Sequence, residues 1–128
     1  MRLLLDTNIL IALIEQRVRP LGHQFEECLA APENVLHASV ASLWEIAIKF
    51  RLGKLPISVP PPALPELFLN VGLPLLSIEV AHVLAEVAPE PDTRDPFDRL
   101  LLAQCQVEGL RLVTTDRALA VHPLAWHP

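Results

Sequence analysis

The stretch RDPFDRLLLAQCQVEGLRLVTTD, residues 94–116, leaves this chain little freedom of local structure. Asp95 is a favourable N-cap, Pro96 suits the first helical position, and Phe97, Leu100, Leu101 and Cys105 recur at helical spacing. Gly109 ends that helix, and the apolar, β-branched run Leu110–Thr114 reads as a buried strand. Two acids are left over. Asp98 falls in the first turn of the helix, where the macrodipole alone can account for an acid. Asp116 lies just beyond the carboxyl end of the strand.

The same alternation runs through the rest of the chain. Arg2–Leu5 predicts a strand, followed by Asp6-Thr7-Asn8 as capping residues for a helix to about Glu15. Asp6 thus sits where a strand hands over to a helix, although Thr7 could cap without a charge. Pro20 opens a helical stretch, Leu21–Ala31, and Asn34–His37 is a brief strand. Ser39 then starts a helix through Leu52, stopped by Gly53, with Leu43, Ile46, Ala47 and Phe50 as its core stripe and Glu45 facing away from it. Two structural roles compete for Glu45: a capping box with Ser42, and a surface pair with Lys49 worth only about 0.3–0.5 kcal/mol. Five prolines between Pro56 and Pro65 exclude a regular helix and predict an extended surface connection. Beyond it come a short helix to about Val71, a strand over Leu73–Ser77, and a helix over Glu79–Val87 on which His82 reads as a packing residue. Arg117–Ala120 is a turn of helix, and Val121–Trp126 is expected to return as an edge strand.

Strands alternating with helices predict an α/β fold: a central, mainly parallel sheet flanked by helices in three layers. The 128 residues suffice for one domain, 1–128, with a single core. Hydrophobic residues make up 52% of the chain and charged residues 20%, leaving a surplus of apolar surface suited to an interface. A net charge of -5 argues against general coating of nucleic acid, but not against an acidic site bridged to phosphate by cations. No stretch approaches the roughly 20 apolar residues of a membrane span. Asp6 and Asn8 interrupt the early apolar run, so export is not expected. The isolated Cys28 and Cys105 suit a reducing compartment, and the expected location is cytoplasmic.

In a parallel sheet the carboxyl ends of the strands share one edge with the amino ends of the following helices. Asp6 and Asp116 end strands, while Asp98 and Glu45 lie in the first and second turns of helices, so all four can meet there. Carboxylates gathered at one place repel, and must be protonated, spread apart or neutralised by cations. Oxygen-only ligands favour a hard divalent ion such as Mg2+ or Mn2+, and no Cys or His cluster has zinc-ligand spacing. Such an ion lowers the pKa of a bound water and shields an attacked phosphate, which is the chemistry of phosphodiester cleavage.

With those acids placed, the chain resembles the PIN domains, and most closely the VapC-type ribonuclease toxins of toxin–antitoxin pairs. The resemblance is carried by LLLDTNILIAL at 3–13, SLWEIAIKFRLGKL at 42–55, DPFDRLLLAQ at 95–104 and LVTTD at 112–116, in type, order and spacing. It implies that Asp6, Glu45, Asp98 and Asp116 form a catalytic, metal-holding quartet, with Asp6 and Asp98 foremost as direct ligands. It also implies supporting roles for Thr7 and Thr115, whose hydroxyls would hold a metal water or orient a carboxylate. Asp95 is either a further member or only the helix cap. A histidine often precedes the matching arginine-aspartate pair in such proteins, and here Thr93 stands in its place. The resemblance further implies an RNA substrate, a homodimer and a small antitoxin partner.

Two other classes compete. A receiver-like phosphoacceptor needs adjacent acids after the first strand and a lysine after a late one, and neither Asp6-Thr7-Asn8 nor Thr114-Thr115-Asp116-Arg117 supplies them. A non-catalytic PIN-fold binding module would be expected to have lost part of the quartet, and here all four acids are present.

Overall fold

Leu3, Leu4 and Leu5 are all fully buried, with Leu3 and Leu5 packed into one apolar cluster and Leu4 into another. Consecutive strand residues point to opposite faces, so a strand of this kind must lie inside a sheet covered on both sides. The computed structural model describes residues 1–128 and has this arrangement. Strands β1 (Arg2–Leu5), β2 (Val35–Ser39), β3 (Leu75–Leu76) and β4 (Arg111–Val113) form one parallel sheet in the order β3-β2-β1-β4. The register places Leu4 opposite His37 on one side and Leu112 on the other.

Seven α-helices supply the outer layers: α1 (Thr7–Ile14), α2 (His23–Ala30), α3 (Val40–Arg51), α4 (Leu64–Asn70), α5 (Val80–Leu84), α6 (Pro96–Glu108) and α7 (Arg117–Ala120). Ile9 and Leu10 of α1, Cys28 of α2 and Leu64 and Phe68 of α4 meet Leu3, Leu5 and Val113 on one face. On the other face, Leu101, Leu102 and Cys105 of α6 and Leu119 of α7 meet Leu4 and Leu112. Helix α3 serves both clusters, giving Ile46 to the first and Ala41 to the second. The expected α/β three-layer arrangement is therefore the observed one. Both cysteines are free thiols, and no helix is long and apolar enough to cross a membrane.

Several boundaries differ from the sequence reading for local reasons. The helix expected over 21–31 is broken at Gly22, whose φ of 115° no helix can continue, into a 3-10 turn Arg19–Leu21 and α2. The strand expected over 73–77 and the helix expected over 79–87 shorten to β3 and α5. His82 is buried and completes a capping box with Glu79, which fixes the start of α5. The edge strand expected over 121–126 is reduced to a parallel bridge between Leu112 and Ala125. Phe50, expected in the core stripe of α3, is 41% exposed because it lies in the last turn of that helix and packs against neither apolar cluster.

One buried amide braces the layers. Gln104 of α6 is fully buried; its Oε1 accepts the Ser39 hydroxyl at 2.6 Å and its Nε2 donates to the Ser77 carbonyl at 3.2 Å. Ser39 Oγ in turn accepts the Ala41 N–H at 3.0 Å, capping α3. The end of β2, the start of α3, the loop after β3 and the middle of α6 are thus held by one side chain. Replacing it by an apolar isostere removes the donor to the part-buried Ser77 carbonyl and leaves the buried Ser39 hydroxyl without an acceptor. Gln104→Leu is expected to lower unfolding free energy by about 1–3 kcal/mol. In urea the midpoint should fall at unchanged slope, and an unshifted midpoint would show that the brace contributes nothing.

Candidate active site

Chain order creates the crevice. From β1 the chain moves to β2 and β3 on one side, then crosses to enter β4 on the other side of β1. The connections diverge between β1 and β4, and such a switch point leaves a cleft at the carboxyl ends of the strands. Asp6 and Thr114 stand on either side of it, each following one of the paired residues Leu5 and Val113. The Asp6 N–H donates to the Val113 carbonyl at 3.0 Å, carrying the ladder up to the cleft floor.

Asp6 is buried, 5% exposed, with both carboxylate oxygens engaged. Oδ1 accepts the Thr7 N–H at 2.7 Å and caps α1, and Oδ2 accepts the Thr114 hydroxyl at 2.6 Å. The capping role that Thr7 could have filled therefore falls to Asp6. The Thr7 hydroxyl instead donates to Ser42 Oγ at 3.0 Å, tying α1 to α3; Ser39 and not Ser42 is the N-cap of α3, so Ser42 and Glu45 form no capping box. Thr114 also accepts the Asp116 N–H at 3.0 Å, whereas the Thr115 side chain is exposed. Thr114 was not singled out from sequence, yet the strand register identifies it: the residue after Val113 lies level with the residue after Leu5.

Glu45 is 7% exposed, contrary to its expected outward-facing position, because α3 is packed against both α1 and α6. Its Oε2 accepts the Lys49 ammonium at 2.7 Å, and this contact raises the Lys49 pKa above its ordinary value. Asp98, in the first turn of α6, is half-buried and accepts the Thr93 hydroxyl at 3.3 Å. Thr93, which occupies the position of the missing histidine, thus takes a carboxylate-orienting role. Asp95 is the N-cap of α6, its Oδ1 accepting the Phe97 and Asp98 N–H groups at 2.8 and 3.4 Å. Asp116 is exposed and caps α7 through the Ala118 N–H at 2.8 Å.

The acids feel one another. Burial holds the Asp6 carboxyl above its ordinary value, opposed by the Thr114 and Thr7 hydrogen bonds and reinforced by Glu45 and Asp116. Asp98 is pushed up to about 7, first by burial, then by Asp95 and Asp6, with the Thr93 hydroxyl opposing and Asp116 adding to the rise. The negative charges of Asp95 and Asp98 also reach Lys49. Asp6, Glu45, Asp98 and Asp116 therefore share one electrostatic neighbourhood at the carboxyl edge of the sheet.

They do not, however, close into a ready ligand set. No three His, Cys, Asp or Glu side chains are gathered closely enough to hold a metal ion as they stand. Each carboxylate is instead held by a hydroxyl, an N–H or an ammonium of its own. The donor set is all oxygen, and Asp95, Asp6 and Asp116 add repulsion to the burial that raises Asp98, a repulsion that a cation relieves, so these residues suit a hard divalent ion.

Residues 3–123 match the PIN domain family. The fold is similar to that of a chain in the crystal structure of VapBC2 from Rickettsia felis bound to a DNA fragment from their promoter. The TM-score is 0.66 at 19% identity, over 98% of this chain and 96% of that one. None of the curated proteins matches.

The elevated Asp98 has a consequence for stability in the presence of a chelator of divalent ions. Between its ordinary value of 3.8 and about 7, the folded chain retains a proton that the unfolded chain has lost. Stability should therefore fall as pH rises through this window. Unfolding midpoints measured across it should decline in the original protein and decline less in Asp98→Asn; identical pH profiles would refute the assignment.

Proposed function

The chain belongs to the PIN domain family, and from that premise we propose that it is a ribonuclease dependent on Mg2+ or Mn2+ and acts as the toxin of a toxin–antitoxin pair. The observation that carries the reading is the placing of Asp6, Asp98 and Asp116 within electrostatic reach of one another at the switch-point edge, with Glu45 acting on Asp6. A site that crowds negative charge in this way is suited to assembling cations against an anionic phosphodiester. Asp6 and Asp98 would hold the ion, with Asp116 and Glu45 completing the acidic surround. When bound, the ion supplies Lewis-acid activation of water and neutralises charge developing on the attacked phosphate.

The protein's own groups prepare that chemistry. Thr114 and the Thr7 N–H fix the Asp6 carboxylate in one orientation, and Thr93 does the same for Asp98. Lys49, bonded to Glu45, keeps one positive charge beside the acids and limits their repulsion. Asp116 turns one oxygen to the start of α7 and leaves its side chain in solvent, where a partner can reach it.

Asp98→Asn should reduce metal-dependent RNA cleavage by at least about 100-fold, the equivalent of losing several kcal/mol of charge stabilisation. Thermal stability of the metal-free variant should be equal to or above that of the original, and added Mg2+ should raise the melting temperature of the original more. Asp95→Asn should be tolerated, since asparagine caps a helix about as well as aspartate. Full cleavage by Asp98→Asn, or loss of cleavage through unfolding, would overturn the reading.

The proposed partner is a small antitoxin, and association with it and with a second copy accounts for the apolar surplus of the chain. An apolar groove of about 570 Å³ runs between α1, β2 and α4, lined by residues that include Leu10, Leu13, Ile14, Leu36, Leu67 and Phe68. It is distinct from the acidic edge and suits the apolar face of a partner helix. Leu67→Asp should weaken binding of the product of the neighbouring gene by at least about 10-fold, while free-enzyme RNA cleavage is unchanged. Isothermal titration paired with a cleavage assay reads both.

A further inference from the structure

Trp44 and Phe97 form an edge-to-face pair across the seam between α3 and α6, with ring centroids 5.4 Å apart and planes at 74°. Each immediately precedes an acid of the site, Trp44 before Glu45 and Phe97 before Asp98. The same two helices therefore carry the rings and the carboxylates at successive positions, about 100° apart around each helix. Phe97 is half-buried, but Trp44 is 57% exposed and leaves indole surface open to solvent. A half-buried ring holding an exposed one in a fixed pose is a preformed stacking platform, with little further ordering required on contact.

The charges around the seam select what can lie on it. Neither Arg94, just before the Asp95 cap, nor Arg117, just after Asp116, is engaged in an ion pair, and both are exposed. The edge thus combines an acidic centre, flanking guanidinium groups and an open aromatic face. Single-stranded nucleic acid offers the complement: a charged backbone for the arginines and unstacked bases for the ring. A duplex hides its base faces in the stack, and an apolar protein surface has no use for the arginines.

We infer that Trp44, supported by Phe97, is a base-stacking subsite that holds a nucleotide of single-stranded RNA beside the acidic centre; this rests on the ribonuclease reading. Binding at this subsite selects unpaired RNA through the availability of a base face rather than through base-edge hydrogen bonds. Stacking tolerates every base, so the subsite would favour loops and ends over helices while adding little sequence preference.

The test places Trp126→Phe in the background, so that Trp44 alone reports by fluorescence, together with Asp98→Asn, so that binding is read without turnover. Titration with a mixed-sequence single-stranded RNA oligonucleotide should quench the emission, and a blunt duplex of the same sequence should not. Trp44→Ala, followed by fluorescence of a labelled oligonucleotide, should weaken binding roughly 5- to 150-fold, with most of the affinity restored by Trp44→Phe. Equal affinity with and without an aromatic side chain at this position overturns the inference. So does a Trp44→Ala chain whose oligomeric state changes while its RNA affinity does not, an outcome that makes the pair a protein contact. If the unaltered protein fails to cleave RNA but Trp44 is still quenched, the ribonuclease reading fails and the stacking subsite stands. Absence of RNA binding in every form overturns both.

Discussion

A carboxylate buried at the switch point of a parallel sheet is the constraint on which the rest of this structure depends. Removing Asp6 from water carries a penalty of several kcal/mol, and the fold offsets it by giving each oxygen a donor, Thr7 N–H and Thr114 hydroxyl. Hydrogen bonds to a charged group contribute about 1.5–3 kcal/mol each, enough to retain the acid but not to make its position comfortable. Those bonds join the start of α1 to the end of β4, the two elements that bound the cleft. The price of placing charge there is also what aligns the site.

Local chemistry and long-range packing were legible to different degrees. The start and stop of α6 could be read from Asp95, Pro96 and Gly109 because caps act within one turn, and the structure has Asp95 as N-cap and Gly109 in the left-handed conformation. The turn of helix over Arg117–Ala120 was legible for the same reason. Glu45 was not: whether a helix has one buried face or two depends on a neighbour fifty residues away, and α6 closes the face that amphipathic spacing leaves open. The choice between Thr114 and Thr115 was likewise invisible without knowing that β1 and β4 are paired neighbours. Four acids could be brought to one edge by topology alone, but the hydroxyls and ammonium that hold them apart are tertiary facts.

The site is organised as a set of independently restrained charges. Thr93, Thr114, Lys49 and the Ala118 N–H of α7 each restrain a different acid. Repulsion is limited by attachment to separate elements. Gln104 and Ser42 lie behind this arrangement, linking α6 to β2 and α3 to α1 through buried hydrogen bonds. The polar groups of the interior therefore serve registration between helices, while the leucines of β1 supply the burial.

The sheet's outer rims are both protected. One rim is β3, only two residues long, and at the other the 124–126 segment bonds both to the Leu112 N–H and to its carbonyl. Neither rim offers a long run of unpaired backbone to a stray strand, which is the usual template for uncontrolled stacking of chains. A protein with this much apolar surface is thereby protected from β-type aggregation while the helical exteriors, Leu69 and Leu84 among them, remain open to contact. Its associations are steered toward side-chain packing between helices, which is selective by shape, and away from backbone pairing, which is not.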